Sequence, residues 1–189
     1  AVLGHAMTSF RTPMYSGSWS GWNYSNAQVS HNPCVRDSNG RPDIASVCYP
    51  SVGYYDMNDP KLIEYHCQCL KMACMDGIIF DLGFYTMDPQ TVSMAREYLN
   101  ILAAYDLKAV ICYEDKAHWI WDNGATTRAM ALQRAYDDMD NWLSLFLDSG
   151  TQYSVTGQRP LFLLFSYEDM HPQKGITCLL PNEIEDWLD

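Results

Sequence analysis

The chain has 189 residues, 48% of them hydrophobic, with 12 Lys+Arg against 23 Asp+Glu and a formal net charge of −11. That hydrophobic fraction supports a packed core, which excludes a disordered or low-complexity chain. An acidic excess without a basic run opposes both a phosphate backbone and an anionic membrane surface, so nucleic acid is excluded as a partner. No segment approaches the roughly 20 consecutive apolar residues that a membrane-spanning helix needs, and no basic n-region or long apolar h-region opens the chain at Ala1 to Met7.

Residues 2 to 9 read as a short apolar strand. From about 10 to 60 the sequence loses periodicity and becomes rich in Gly, Ser, Asn, Pro and aromatics, the composition of a long loop or a binding rim. Asp59-Pro60 then opens a helix, with Asp as the cap and Pro in the first turn. Its apolar stripe is expected at Leu62, Tyr65, His66, Cys69 and Ala73, ending near Met75. Gly77-Ile78-Ile79-Phe80-Asp81-Leu82 is a continuous apolar run with one carboxylate near its end, as in a buried parallel strand. The same grammar repeats. Asp88-Pro89 opens a helix to about Ala104, Asp106-Leu107 turns the chain, and Lys108 to Asp115 forms the next strand. A third helix runs from about Ala125 to Leu147, with a turn around Gly150 and Gly157. Pro160 to Asp169 is a fourth strand, and a last helix starts at Pro181.

Strands alternating with helices of about fifteen residues define an α/β protein with parallel pairing and right-handed crossovers. Acids that gather at the C-terminal ends of successive strands match the mouth of a (β/α)₈ TIM barrel, where active sites of that fold are built. Four strands are present, whereas a closed barrel needs eight and about 250 residues. Residues 1–189 are therefore expected to be the N-terminal part of one catalytic-type barrel domain, truncated to about four strands, with an aromatic-rich loop at 10–60.

Acid–base chemistry at a bond to oxygen needs two carboxyl groups, one to protonate the leaving oxygen and one as base or nucleophile. Glu114 is the first candidate. Alternation along its strand places Val110, Cys112 and Glu114 on one face, the expected barrel interior, with the acid at the mouth. Asp81 ends the neighbouring strand and faces the same mouth. Candidate substrate-binding groups at that mouth are Tyr55 and Asp56 of the loop, Tyr113 and Asp115 beside Glu114, Glu168 with Asp169 at the end of strand four, and His5 on strand one. Trp19 and Trp22 form a Trp-x-x-Trp platform, flanked by Tyr15 and Tyr24, whose ring faces stack on sugar C–H surfaces. Trp119 and Trp121 follow strand three and wall the same pocket. Each has a plainer reading: a helix cap or loop hydrogen bond for the acids, the loop's own hydrophobic cluster for the aromatics, a satisfied core group for His5.

Other chemistries lack an anchor. There is no phosphate-binding G-x-x-x-x-G-K, no G-x-G-x-x-G after a strand, no G-x-S-x-G elbow and no H-E-x-x-H, so no cofactor is implied. The seven cysteines are an odd set, which leaves at least one unpaired within the chain. Cys67 and Cys69 lie two apart on a helix, near His66, and face different directions, so no metal is expected there. Cys112 reads as a small buried hydrophobe.

The run Tyr49-Pro50-Ser51-Val52-Gly53-Tyr54-Tyr55-Asp56-Met57-Asn58-Asp59-Pro60, then Ile63-Glu64-Tyr65-His66 and Met72-Ala73-Cys74-Met75-Asp76-Gly77-Ile78-Ile79-Phe80-Asp81, resembles the glycoside hydrolase family 71/99-like proteins, which include endo-α-mannosidases. Their corresponding run reads approximately YP-x-x-GPYDS-x-DP, x-EYH and AGIDG before a strand ending in D-W. The strand ending Tyr113-Glu114-Asp115 and the stretch Gly157 to Phe165 match further segments, so the resemblance covers nearly the whole chain in order. It implies a barrel glycosidase, endo-acting on an α-linked glycan, with an oligosaccharide or polysaccharide as partner and no cofactor. It also implies a base role for Glu114 at the sugar's 2-hydroxyl, and an extracellular or periplasmic setting. Three departures stand out: Cys74-Met75 replaces Gly-Ile, Leu82-Gly83 follows Asp81 where the family has Trp-Tyr, and the W-N-E-W-type segment that carries the family's acid/base glutamate does not occur. The alternative expectations are a non-catalytic carbohydrate-binding relative and an incomplete fragment that self-associates through open barrel edges.

Overall fold

The computed structural model describes residues 1–26, 28–83, 89–114, 127–155, 159–165 and 181–188. Its frame is a parallel four-stranded sheet formed by β1 (Leu3–Met7), β2 (Gly77–Gly83), β3 (Lys108–Glu114) and β6 (Phe162–Phe165), in the order β1-β2-β3-β6. Helices α2 (Pro60–Met72), α3 (Pro89–Ala104) and α4 (Arg128–Asp148) connect successive strands. A four-residue helix α1 (Pro13–Ser16) sits in the long loop, and α5 (Pro181–Leu188) follows β6. Between α4 and β6, β4 (Ser154–Val155) and β5 (Arg159–Pro160) pair as a small antiparallel ribbon. The fold is α/β with alternating strands and helices, and the described strands do not close into a barrel.

The side chains of a strand alternate between two faces, and the register fixes which residues share one. Pairing aligns Ala6 with Phe80, Phe80 with Ile111, and Ile111 with Phe162. These residues, with Ile78, Leu82, Ala109, Tyr113 and Leu164, point to the helices and join their buried stripes in one hydrophobic core. Helix α3 contributes Met94, Ala95, Tyr98, Leu99 and Leu102, and α4 contributes Ala131, Ala135, Met139, Trp142 and Phe146, spacings that keep one helix face inward. Phe80 stands edge-on to both Tyr98 and Phe146, with ring centroids 4.9 and 5.5 Å away.

Local signals explain where the elements begin and end. Asp59 caps α2, its carboxylate accepting from the backbone N–H of Lys61 at 2.9 Å, with Pro60 in the first turn. Thr127 caps α4 in the same manner through Met130 N–H. The buried stripe of α2, however, is Leu62, Ile63 and Cys67, while Tyr65 and Cys69 are exposed. The expected stripe was rotated by about one residue: Ile63 and Cys67, one turn apart, enter the core, and the aromatic ring of Tyr65 stays outside. After α2 the chain turns through Cys74, at φ 54°, before entering β2 at Gly77. A Cβ on Gly77 would lie 1.9 Å from the carbonyl oxygen of Lys108, so only glycine lets β2 begin against β3. The turn at Asp106 likewise uses a positive φ, 49°.

The loop of residues 10 to 60 is ordered by its own small core. Trp22 is 1% exposed; its indole N–H donates to the Tyr55 carbonyl at 2.8 Å, and its ring lies 4.3 Å from Phe10 and 4.9 Å from Tyr55. Bridges Arg11↔Ser20 and Arg36↔Pro42 stitch its strands. Arg11 reaches across to Gln90 and Thr91 at the start of α3, tying the loop to the helix layer. Helix α5 docks by the guanidinium of Arg128, which donates through two nitrogens to the two oxygens of Glu183, and by Tyr136, whose hydroxyl donates to the Glu183 carbonyl at 2.7 Å.

Candidate functional site: the mouth of the parallel sheet

The face of the sheet away from the helices carries the polar candidates His5, Asp81 and Glu114. One row aligns His5, Ile79 and Val110; the next aligns Met7, Asp81, Cys112 and Leu163; the last pairs Glu114 with Phe165. The expected grouping of Val110, Cys112 and Glu114 on one face is what the register shows. Asp81 and Glu114 share that face near the C-terminal ends of adjacent strands. Strand spacing and rise put their Cα atoms about 8 Å apart, room for a sugar hydroxyl or a bridging water between the carboxyl groups.

Asp81 is 7% exposed. The imidazole Nε2 of His5 lies 3.6 Å from its Oδ2, and the hydroxyl of Thr8 donates to its backbone carbonyl at 2.8 Å. His5, a candidate binding group whose plainer reading was a satisfied core group, has its side chain half-exposed on the mouth face, where it addresses a carboxylate. Glu114 is half-buried at the rim. Cys112 sits between the two acids. Burial, and then the negative charges of Asp81 and Glu114, push its thiol up to about 11. The nearest donor atoms of His5, Asp81 and Cys112 all lie within 4.8 Å of one another.

Five other candidates fall elsewhere. Tyr113 is fully buried on the helix-facing side, because it alternates with Glu114. Trp22 is the plug of the loop core and has no face open to a ligand. Asp56, 3% exposed, fastens the loop. It accepts from Thr12 N–H at 2.7 Å, Asn58 N–H at 2.9 Å and the Ser16 hydroxyl at 3.0 Å. Burial pushes its carboxyl up, but these donors together outweigh burial and hold it below its usual range. Trp19 is half-buried, edge-on to Tyr54 at 5.2 Å. Tyr55 packs on Trp22, Phe10 and His66. It also lines an apolar groove of ≈ 430 Å³ along β1, with Met7, His66 and Leu70; His5 borders both this groove and the mouth. Asp115, Trp119, Trp121, Glu168 and Asp169 lie outside the described residues.

Phe165 was not anticipated as a site residue. It is 45% exposed and registered beside Glu114 on the mouth face, which offers an aromatic surface next to the acid. The alternation Phe162-Leu163-Leu164-Phe165, read in register with the preceding strand, carries that signal.

A parallel βα wall with a carboxylate pair at the strand mouth is the architecture of part of a (β/α) barrel. Among solved structures the chain is similar to the GH99 endo-alpha-mannosidase from Bacteroides thetaiotaomicron, with TM-score 0.62 and 20% identity over 87% of this chain. The same enzyme in complex with BIS-TRIS-propane gives TM-score 0.60, again at 20% identity, over 86% of this chain. The chain spans 45% and 41% of the length of those structures, the coverage expected of half a barrel. The fold is thus glycoside hydrolase-like. No protein-family model and no curated protein sequence matches the chain. No described helix is long and apolar enough to cross a membrane.

Proposed function

We propose that the chain forms the glycan-binding wall of a glycoside hydrolase-like barrel and engages an α-linked oligosaccharide at the strand mouth. One observation supports this most: Asp81 and Glu114 share the mouth face on adjacent strands, on a fold common to an endo-α-mannosidase. Glu114, half-buried at the rim, is the group that accepts a proton from a sugar hydroxyl. Asp81, more deeply set and addressed by His5, binds and orients. Phe165 supplies the stacking face. The family's acid/base segment has no counterpart in this sequence, so binding is the chain's own share and cleavage requires a second carboxylic acid from beyond these strands. The outer strands β1 and β6 are where a further segment or a second copy extends the wall by strand pairing.

The test is calorimetric titration with α-1,2- and α-1,3-linked mannooligosaccharides against the wild-type chain, Glu114→Gln and Asp81→Asn. Binding that weakens about tenfold or more in both variants, as loss of a charge-assisted hydrogen bond demands, supports the reading. Binding unchanged in both, or no binding by a folded wild-type chain, removes it.

A further inference from the structure

Beyond glycan binding, the structure assigns a second capacity to the mouth: a zinc-class divalent cation site formed by His5, Asp81 and Cys112. Three strands supply one donor each. Asp81 and Cys112 are registered neighbours on β2 and β3, and His5 reaches up from the row below on β1. Their donor atoms lie within 4.8 Å of one another, and His5 Nε2 stands 3.6 Å from Asp81 Oδ2. Adjacent nitrogen and oxygen ligands of tetrahedral zinc, each about 2.0–2.2 Å from the metal, are separated by roughly 3.4 Å. The His–Asp pair therefore already spans one edge of a tetrahedron, and the thiol completes a face after side-chain rotation.

The donor set selects the ion. A thiolate with an imidazole favours zinc over magnesium or calcium, which require oxygen ligands. Charge agrees: a neutral imidazole, a carboxylate and a thiolate sum to −2, which one divalent ion neutralises in a place where the thiol otherwise sits between two acids. On binding, the Sγ–H bond of Cys112 breaks, its proton leaves to water, and its electron pair forms the metal–sulfur bond. Three protein ligands leave a fourth position, which faces the mouth and takes a water or a hydroxyl of a ligand. This assignment revises the expectation that Cys112 serves only as a buried hydrophobe and that the chain binds no metal. It does not depend on the glycan reading.

Cobalt(II) is the probe, because a tetrahedral thiolate site gives it intense visible d–d bands and a near-ultraviolet sulfur-to-metal charge-transfer band. The wild-type chain, stripped with chelator under reducing conditions, is titrated with cobalt and back-titrated with zinc. The expected result is one tightly bound cobalt per chain with both signatures, displaced by zinc, loss of the charge-transfer band in Cys112→Ser, and weaker binding in His5→Gln. His5 is half-exposed, so that second variant keeps the fold. Absence of the bands in the wild type, or their persistence in folded Cys112→Ser, overturns the assignment by showing that no site exists or that the remaining thiols hold the metal.

Discussion

Replacing Asp56 by Ala isolates the device that holds the long loop against the sheet. Its carboxylate accepts from Thr12 N–H, Asn58 N–H and the Ser16 hydroxyl, and longer bonds come from the Thr12 hydroxyl at 3.3 Å and the Asn58 side-chain amide at 3.2 Å. The alanine variant strands two backbone donors in a buried setting, each worth about 1–3 kcal/mol when left unsatisfied. Water entry at the partly open side recovers some of that, leaving a destabilisation of about 3 kcal/mol. For a chain of this size that is roughly 6–12 °C in melting temperature. Asp56→Asn keeps the volume and one acceptor oxygen, and falls between. The pH dependence has a definite sign. The folded carboxyl titrates below its unfolded value, so its contribution is complete above about pH 5 and is lost as pH falls through the folded value. Urea melts at pH 7 and at pH 3 measure both effects. A wild-type-like melt at pH 7, or a wild-type-to-variant difference that does not shrink on acidification, refutes the fastening role.

Three further outcomes follow from particular contacts. Cys74 adopts a left-handed backbone, φ 54°, which glycine takes without a Cβ penalty; Cys74→Gly should stabilise the chain by about 0.5–1 kcal/mol in denaturant melts, whereas destabilisation would show that its side chain matters more than its backbone. Gly77→Ala drives a methyl to 1.9 Å from the Lys108 carbonyl oxygen, so circular dichroism and melting should reveal an unfolded or strongly destabilised protein, and a cooperative wild-type melt would contradict the β2–β3 register. Burial, with the charge of nearby Glu64, pushes the Cys67 thiol up to about 11, as it does Cys112; with metal removed, Ellman's reagent at pH 8 should modify exposed Cys34, Cys48, Cys69 and Cys74 much faster than these two, and equal rates would contradict their burial.

The order of strands and helices was legible because each element carries a local signal: the Asp59-Pro60 cap, the apolar runs into Asp81 and Glu114, the Gly77 entry. The placement of Val110, Cys112 and Glu114 on one face was legible too, since period-two alternation within a strand needs only the strand assignment. What was not legible required register between distant strands. His5 and Asp81 are 76 positions apart in sequence, and nothing local sets the row at which β1 meets β2. The same holds for Phe165 beside Glu114. Inside the loop the aromatics misled in the opposite direction: Trp22 has the composition of a sugar platform, but a segment that lacks regular hydrogen bonding needs a buried anchor, and the largest apolar side chain supplies it. Asp56 followed the same logic, being recruited by backbone donors that no helix or sheet satisfies.

Glycan binding at the strand mouth can be mapped by titrating an α-linked mannooligosaccharide and following the backbone amide resonances. Saturable shifts are expected at Met7, Asp81, Cys112, Glu114 and Phe165, with the core residues Phe80, Ile111 and Leu102 unmoved. Shifts confined to the helix layer or to the β1 groove, or none at millimolar sugar, would contradict it.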